Sequence, residues 1–360
     1  MPHSFHWSAD LTIGLTSVGS RSEYAPMFWL FALVLVVFTA CSSGPATINT
    51  EDQANGPAPP NEPMQTVFKS ADGSTNLHGE LEFPRGVGPF PAVVIMSPRM
   101  CEGPAGIPEG WQQATLTSWG YATLTIDNFA ARGLRPAACG DFTVLQPSQT
   151  IGDAYGALKF LASSPRIDVR RIALLGFAGE GTAALLSDTA EARQHYSLNG
   201  EIGFRAVFAF YPYCNIEFVH PPKVYAPERI FAGERDDLSP ASRCIALAER
   251  MRAQGADIAT IVYPGVEAGF DNVPPDTNPP THDPIALHPG STIISTHPQY
   301  DPWGENLSAC TFKVSSVFDV ARRSDVTGCL RRGGHFQGDA TAADDAKRDL
   351  RAALDGLMKP

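Results

Sequence analysis

Residues 172–182 (IALLGFAGEGT) have the residue types and spacing of a turn that presents a catalytic nucleophile. The apolar first half predicts a buried parallel strand, Gly176 and Gly179 predict a sharp turn, and the segment that follows predicts a helix. A strand, a G-x-S-x-G turn and a helix in this order hold a serine or cysteine above a sheet, where it can attack a carbonyl carbon. The nucleophile position holds Ala178, whose methyl group cannot attack, and Glu180 replaces the second glycine of the motif. The segment predicts the architecture of a nucleophilic site and argues against its chemistry.

The elements that would hold this turn alternate between strands and helices. Apolar runs predict a β-hairpin over residues 66–83 and further strands at 91–96, 121–126, 168–175, 204–211, 229–232 and 258–263. Apolar residues at helical spacing predict helices at 110–119, 150–163, from 181 onward, 240–254 and 341–358. Strands that alternate with helices predict a doubly wound parallel sheet.

Residues 271–333 form a long segment rich in proline, histidine and aspartate, which predicts an irregular loop. Loops of this length inside a compact domain are usually functional or disordered. This loop leaves the end of the last predicted strand. Because open α/β sheets bind ligands at the carboxyl ends of their strands, we expect it to border any site.

Four further motifs follow the family order and, with the turn, resemble the dienelactone hydrolase family over about residues 68–357. They are Asp127–Gly133 (DNFAARG), Asp153–Leu158 (DAYGAL), Gly233–Pro240 (GERDDLSP) and Tyr263–Asp271 (YPGVEAGFD). Each motif is weak alone, and the five together in order are specific. The resemblance implies an α/β-hydrolase fold, with a doubly wound, mostly parallel sheet and helices on both faces.

The resemblance also implies a triad of nucleophile, acid and histidine, carried here by Ala178, Asp236 and Ala268. Only the acid keeps its chemistry. The Gly179 N–H is a candidate oxyanion donor, whereas Pro98, in the loop after the first central strand, has no N–H to donate. Losing both nucleophile and base predicts a catalytically degenerate protein.

Three functions remain open. In the first, the protein binds a small molecule, a glycan or a protein near the former active site at the triad positions. In the second, it is a carboxylic-ester or lactone hydrolase whose nucleophile and base come from other positions. In the third, it is a tethered structural domain. The displaced nucleophile would be Ser97 or Cys101, and the displaced base would come from His282, His288, His297 or His335.

Several of these residues also have plain structural interpretations. Asp236 is either a relic acid, a new ligand-binding group, or part of a helix start. Glu180 either binds a cation or amine, or simply favours the helix dipole. Phe177, Phe270 and Trp303 either line a pocket or pack in the core.

The amino-terminal region predicts export. Residues 28–39 form an apolar run too short to span a bilayer comfortably, and the run ends at Cys41 in a pattern resembling a lipoprotein signal. Phe38 stands where that pattern usually has leucine. We expect a signal segment at 1–41, with Met1 or Met27 as the start, a flexible tether at 42–65 and the domain at 66–360. Lipid on Cys41 would anchor the protein to the periplasmic face of the envelope; a cleaved secretory signal and an uncleaved anchor are the alternatives.

The six remaining cysteines are an even number, which suits an oxidising compartment. Spacing between predicted elements favours the pairs Cys101–Cys139, Cys214–Cys244 and Cys310–Cys329. No C-x-x-C occurs and histidines do not cluster with cysteines, so we expect neither a metal nor another cofactor. The net charge of −11 and the lack of a basic cluster argue against nucleic-acid partners.

Overall fold

A computed structural model describes residues 63–96, 111–134, 145–197, 202–273, 308–319, 328–329 and 334–358. All of these lie in one compact unit, Pro57–Pro360. Among them, no helix combines the length and the apolar character needed to cross a membrane.

Ten strands are present in the described ranges. They are β1 (Met64–Lys69), β2 (Asn76–Glu82), β3 (Phe90–Met96), β4 (Ala122–Asp127), β5 (Ile167–Phe177), β6 (Ala206–Phe210), β7 (Ile216–Phe218), β8 (Glu228–Gly233), β9 (Ile258–Tyr263) and β10 (Phe312–Val314). Eight of them form one sheet in the order β1-β2-β4-β3-β5-β6-β8-β9. β1 and β2 are antiparallel additions to a parallel sheet that runs from β4 to β9. The predicted doubly wound, mostly parallel sheet is therefore confirmed.

Helices cover both faces of this sheet. They are α1 (Gln112–Ser118), α2 (Pro147–Ala162), α3 (Ala178–Ser187), α4 (Ala190–Tyr196), α5 (Ala241–Arg252) and α6 (Ala340–Leu357). Alternate residues of β3 enter two separate cores: Val94 packs in one with α2, α3 and α5, and Val93 packs in the other with α1 and α6. This alternation is the period of two expected for a strand buried on both faces.

The predicted motif Asp127–Gly133 forms the loop that leaves β4. Arg132 in this loop donates to both carboxylate oxygens of Asp153 on α2, at 2.7 and 2.8 Å. Asp153 is completely buried, so the bidentate pair fixes the loop to the helix. Two of the motifs that carry the family resemblance thus contact each other.

The structure differs from the predicted elements at the start of α3 and in the short elements α4, β7 and β10, which were not predicted. α3 begins at Ala178, three residues before the predicted start, because one residue makes the whole turn out of β5. The long loop also contains a strand, β10, which pairs in parallel with β7. Neither three-residue strand has enough residues to show a period in the sequence.

Two of the three predicted disulfides are present. Cys214–Cys244 joins the segment before β7 to α5, and Cys310–Cys329 closes a loop around β10. Phe312 and Val314 of β10 are buried in the core on the α5 face. Part of the long loop is therefore a docked strap (residues 308–319). Cys101 and Cys139 lie outside the described residues.

Candidate active site

The turn between β5 and α3 has the backbone of a nucleophile elbow. Phe177 is extended, with φ −125° and ψ 140°, and Ala178 has φ 49°, in the left-handed region. A side chain at Gly176 would overlap the backbone oxygen of Glu180, so the close approach of strand and helix requires glycine there. A left-handed alanine stores about 1–3 kcal/mol of strain. The turn thus presents a half-buried methyl group where the motif predicts a nucleophile.

The predicted acid, Asp236, follows β8 and is 4 % exposed. Its Oδ1 accepts the backbone N–H groups of Leu238 and Ser239 at 2.9 and 2.6 Å. Its Oδ2 has no hydrogen-bond partner in the described part of the chain. Burial raises the pKa of Asp236 to about 7, although the two backbone donors oppose that shift.

The predicted base position, Ala268, follows β9 and is also buried. It forms an isolated parallel bridge with Phe336, a residue that follows the long loop. The Phe336 ring lies over Gly269, which has φ 70° and where any side chain would overlap that ring. The ring also meets Tyr211 edge-on, with centroids 6.1 Å apart. Ala268 is therefore buried within an apolar cluster.

The fold brings these positions to one edge of the sheet. Ala178, Asp236 and Ala268 follow the carboxyl ends of β5, β8 and β9, with β6 between the first two strands. The loops after β8 and β9 are joined by a hydrogen bond from the Arg235 N–H to the Val266 carbonyl, 2.8 Å long. Ala178 and Ala268 both pack against the apolar cluster that contains Tyr211 and Phe336.

Glu180 lies in the first turn of α3 and is 6 % exposed. Burial raises the pKa of its carboxyl to about 7; the backbone N–H of Glu180 itself lowers the pKa, and the nearby Asp127 carboxylate raises it further. Gly179, the candidate oxyanion donor, is half-buried beside it. The assignments of Ala178, Asp236, Ala268 and Gly179 to family roles remain predictions.

A second buried carboxylate, Asp271, connects the residue before α1, the residue after β6 and the segment after β9. It accepts the Trp111 indole N–H at 3.0 Å and the Tyr211 hydroxyl at 2.9 Å. Burial raises the pKa of Asp271, while these two donors lower it. Tyr211 follows β6 and has φ 37°. The only sequence signal was the position of Asp271 at the end of a family motif.

An acid–histidine pair is formed by residues next to the acid position and the bridge partner of Ala268. His335 Nδ1 is 2.8 Å from Asp237 Oδ2, and the His335 backbone N–H donates to Asp237 Oδ1 at 2.8 Å. Both side chains are about 40 % exposed, at 38 % and 43 %. His335 is one of the four candidate displaced bases, and Asp237 directly follows the predicted acid, Asp236. His335 also precedes Phe336, the partner of Ala268 in the bridge.

Other predicted site residues are outside the described ranges or in the core. Phe177 and Phe270 are 5 % and 0 % exposed and pack among aromatic rings rather than on a pocket wall. The described residues hold no cluster of three or more His, Cys, Asp or Glu side chains that could bind a metal ion. The predicted site residues that lie outside the described ranges are Cys41, Ser97, Pro98, Cys101, Cys139, His282, His288, His297 and Trp303.

Known proteins resemble this chain in fold. Solved structures include a dienelactone hydrolase-like promiscuous phosphotriesterase from metagenomic libraries, with 14% identity, TM-score 0.52, and coverage of 84% of this chain and 100% of that one. A structure named m3DLH has 17% identity, TM-score 0.51, and coverage of 83% and 99%. Porphyromonas gingivalis dipeptidyl peptidase 4 has 15% identity and TM-score 0.44; the match covers 59% of this chain but only 33% of the peptidase. No curated protein matches the sequence.

The sequence also matches a family model. The match is to the model described as "Dienelactone hydrolase family" and covers residues 115–282, from α1 through the elbow and the acid to the segment after β9. Its range includes Ala178, Asp236 and Ala268. The chain thus has the α/β-hydrolase fold, and this match supports its assignment to the dienelactone hydrolase family.

Proposed function

We propose that this protein is a catalytically degenerate member of the dienelactone hydrolase family that binds a ligand near the former catalytic cleft. The observation that carries the proposal is the missing hydrogen-bond partner of the Asp236 Oδ2 atom among the described residues. In a working triad, the free carboxylate oxygen holds the Nδ1–H of the histidine. Here Asp236 Oδ2 has no partner among the described residues, and the position that would supply the histidine is Ala268.

The packing around Ala268 supports the loss of chemistry. The Phe336 ring lies over the neighbouring Gly269, so apolar atoms border the position from which an imidazole would extend. The elbow supplies no nucleophile either, because Ala178 carries only a methyl group. Removing triad members typically lowers turnover by several orders of magnitude, and residues that act as a unit lose their effect together.

The elbow supports binding over a purely structural role. Ala178 keeps a left-handed backbone although alanine disfavours it, and both Ala178 and Gly179 remain half-buried at the carboxyl edge of the sheet. Strained backbone of this kind persists mainly at functional sites, and this edge is where open α/β sheets bind ligands. The ligand is a small molecule, a glycan or a protein segment.

Export and lipid anchoring are part of the proposal. The disulfides Cys214–Cys244 and Cys310–Cys329 are compatible with an oxidising compartment. We expect Cys41 to carry lipid and to hold the protein on the periplasmic face of the envelope. Labelling of the natural protein with a radioactive fatty acid, lost on Cys41→Ser, would support the anchor. Absence of label in the natural protein would favour a secreted form.

A second candidate function is an active ester or lactone hydrolase with a displaced base. The pair Asp237–His335 favours it, because Nδ1 of His335 contacts a carboxylate just as a catalytic histidine does. The nucleophile would then be Ser97 or Cys101. This candidate predicts turnover by the natural protein that is lost on His335→Ala.

Hydrolysis of 4-nitrophenyl acetate separates the two candidates. We expect no turnover above buffer from the full-length natural protein, and at most weak turnover from Ala178→Ser with Ala268→His. Adding Glu180→Gly to this double variant should raise its turnover, because a carboxylate beside a developing oxyanion opposes the formation of that charge. Losing one oxyanion donor lowers turnover by about 10²–10³-fold, so the oxyanion site limits what the two triad residues can restore. Asp236→Asn in the triple variant should remove the gain if the triad was rebuilt. Robust ester hydrolysis by the natural protein that depends on His335, Ser97 or Cys101 would refute the proposal that the protein is catalytically degenerate.

A further inference from the structure

Glu180 is a buried carboxylate without a counter-charge in the described part of the chain. It is 6 % exposed, and the one donor to its carboxylate is its own backbone N–H. Among the described residues, no lysine, arginine or histidine pairs with it, and repulsion from the Asp127 carboxylate raises its pKa. Buried carboxylates are normally paired or hydrogen-bonded, because removing a charge from water is costly.

The position of Glu180 relates this carboxylate to the cleft. Glu180 is two residues after Ala178, at the start of α3, and Asp127 ends β4. In the sheet, β3 lies between β4 and β5, so the two carboxylates flank the carboxyl end of β3. In the family, the loop that leaves this strand helps to form the oxyanion site. Here the same edge carries two acidic groups.

A polar side chain at this edge also has no described partner. Asn128, next to Asp127, is completely buried, and neither its Oδ1 nor its Nδ2 forms a hydrogen bond within the part of the chain that the structure describes. The amino-terminal dipole of α3 favours a negative charge at Glu180, by about 0.3–1 kcal/mol at typical sites. That is small beside the usual cost of burying an unpaired charge, which is several kcal/mol. A ligand that brings a positive charge would offset this cost.

We propose, building on the proposed function, that the cleft beside Ala178 binds a ligand with a protonated amine and that Glu180 binds the ammonium group. The half-buried methyl group of Ala178 offers an apolar contact two residues away, which suits a short alkyl or aryl substituent on that amine. Glu180 and Asp127 together repel carboxylates and developing oxyanions. An ammonium needs only one carboxylate and can use solvent or backbone carbonyls for its other donors.

The test uses three probes of matched size on the full-length protein. They are butylammonium, 1-butanol and butyrate, each at 20 mM and pH 8.5, where Glu180 is ionised and a primary amine, like a lysine side chain with pKa about 10.4, stays protonated. The readout is the thermal midpoint. We expect butylammonium to raise it by about 2–4 °C, the shift of a ligand present in several-fold excess over its Kd. The alcohol and the anion should raise it by less than 1 °C.

Two variants separate Glu180 from general amine effects. Glu180→Gln keeps the shape without the charge, and Glu180→Gly restores the family residue; both should lose the butylammonium shift. Glu249→Gln, at an exposed position on α5, is the matched control and should keep it. Because the glycine variant has the family pattern, it tests the proposal even if the glutamine variant does not fold.

The amine proposal is overturned if 1-butanol gives the same shift as butylammonium, or if both Glu180 variants keep the butylammonium shift. Either result would refute the amine as ligand. It would not bear on the proposal that the site is catalytically degenerate, because that proposal is tested by ester hydrolysis. Robust ester turnover by the natural protein would instead overturn the proposed function, whatever the amines do.

Discussion

Replacing Asp236 by asparagine should stabilise the folded protein at alkaline pH and not at acid pH. Asp236 is buried, and its Oδ1 is held by the backbone N–H groups of Leu238 and Ser239. An asparagine can keep both of these bonds through its own Oδ1. The change therefore removes the ionisable group while preserving the geometry that holds it.

The magnitude follows from the pKa of this carboxyl. Burial raises the pKa of Asp236 to about 7 in the folded protein, whereas an unfolded aspartate has about 3.9. With the folded pKa raised, the stability contribution is fully present below about pH 4 and is lost as pH rises through about 7. Over the full titration, the free energy of unfolding falls by roughly 4 kcal/mol. The asparagine variant has no such loss, but its unpaired Nδ2 costs about 1–3 kcal/mol at every pH.

Thermal midpoints of both proteins between pH 5 and pH 8.5 measure this difference. Between pH 5 and pH 8.5 about 2.7 kcal/mol of the loss occurs, because the folded pKa of about 7 lies about two units above the lower limit. The midpoint of Asp236→Asn minus that of the natural protein should therefore increase by about 5 °C over this range, at roughly 2 °C per kcal/mol. Asp344→Asn, whose side chain is 73 % exposed in the natural protein, is the control and should show no trend. A flat difference for Asp236→Asn would mean that Asp236 is ionised in the folded protein throughout this pH range. That result would refute the raised pKa of Asp236 and, with it, the argument that this carboxylate is unpaired.

Three further predictions concern the scaffold. Glu228→Gln should raise the thermal midpoint near pH 9 and not near pH 4, because burial raises the pKa of Glu228 and of its acidic neighbour Asp188, so stability falls as pH rises through the folded values. Gly156→Ala should lower the free energy of unfolding by about 1–3 kcal/mol in urea titrations, since a Cβ there would overlap a backbone oxygen of β1; Gly356→Ala, on an open helix face, should instead raise it by about 0.5–1 kcal/mol. Cys310→Ser should cost about 3 kcal/mol and open the strap to limited proteolysis under conditions that leave the natural protein intact.

The parallel sheet could be predicted from the sequence because its signals are local. Strands such as β3 and β9 are short apolar runs, and helices such as α5 repeat apolar residues at helical spacing. The start of α3 was placed too late because two glycines suggested a longer turn. The single left-handed residue Ala178 completes that turn, and the helix includes both Gly179 and Glu180.

The strap and the polar pairs of the site depend on contacts between distant residues. β10 pairs with β7 across a large sequence separation, and three residues carry no period that could reveal it. The Asp237–His335 pair and the Asp271 network likewise depend on how the chain folds back across the cleft. Motifs could indicate which residues follow each strand, but not which of them meet.

The return of the chain after the long loop links the packing of the site to the loss of its base. The Gln337 N–H donates to the Ala268 carbonyl, and the Asp339 N–H donates to the Phe270 carbonyl, both at 2.9 Å. These bonds hold Phe336 with its ring over Gly269. Removing the ring would cost about 3–5 kcal/mol, as expected for a buried phenylalanine. The segment after the long loop is therefore tied by its backbone to both sides of Gly269 and places an apolar ring beside the position of the missing histidine.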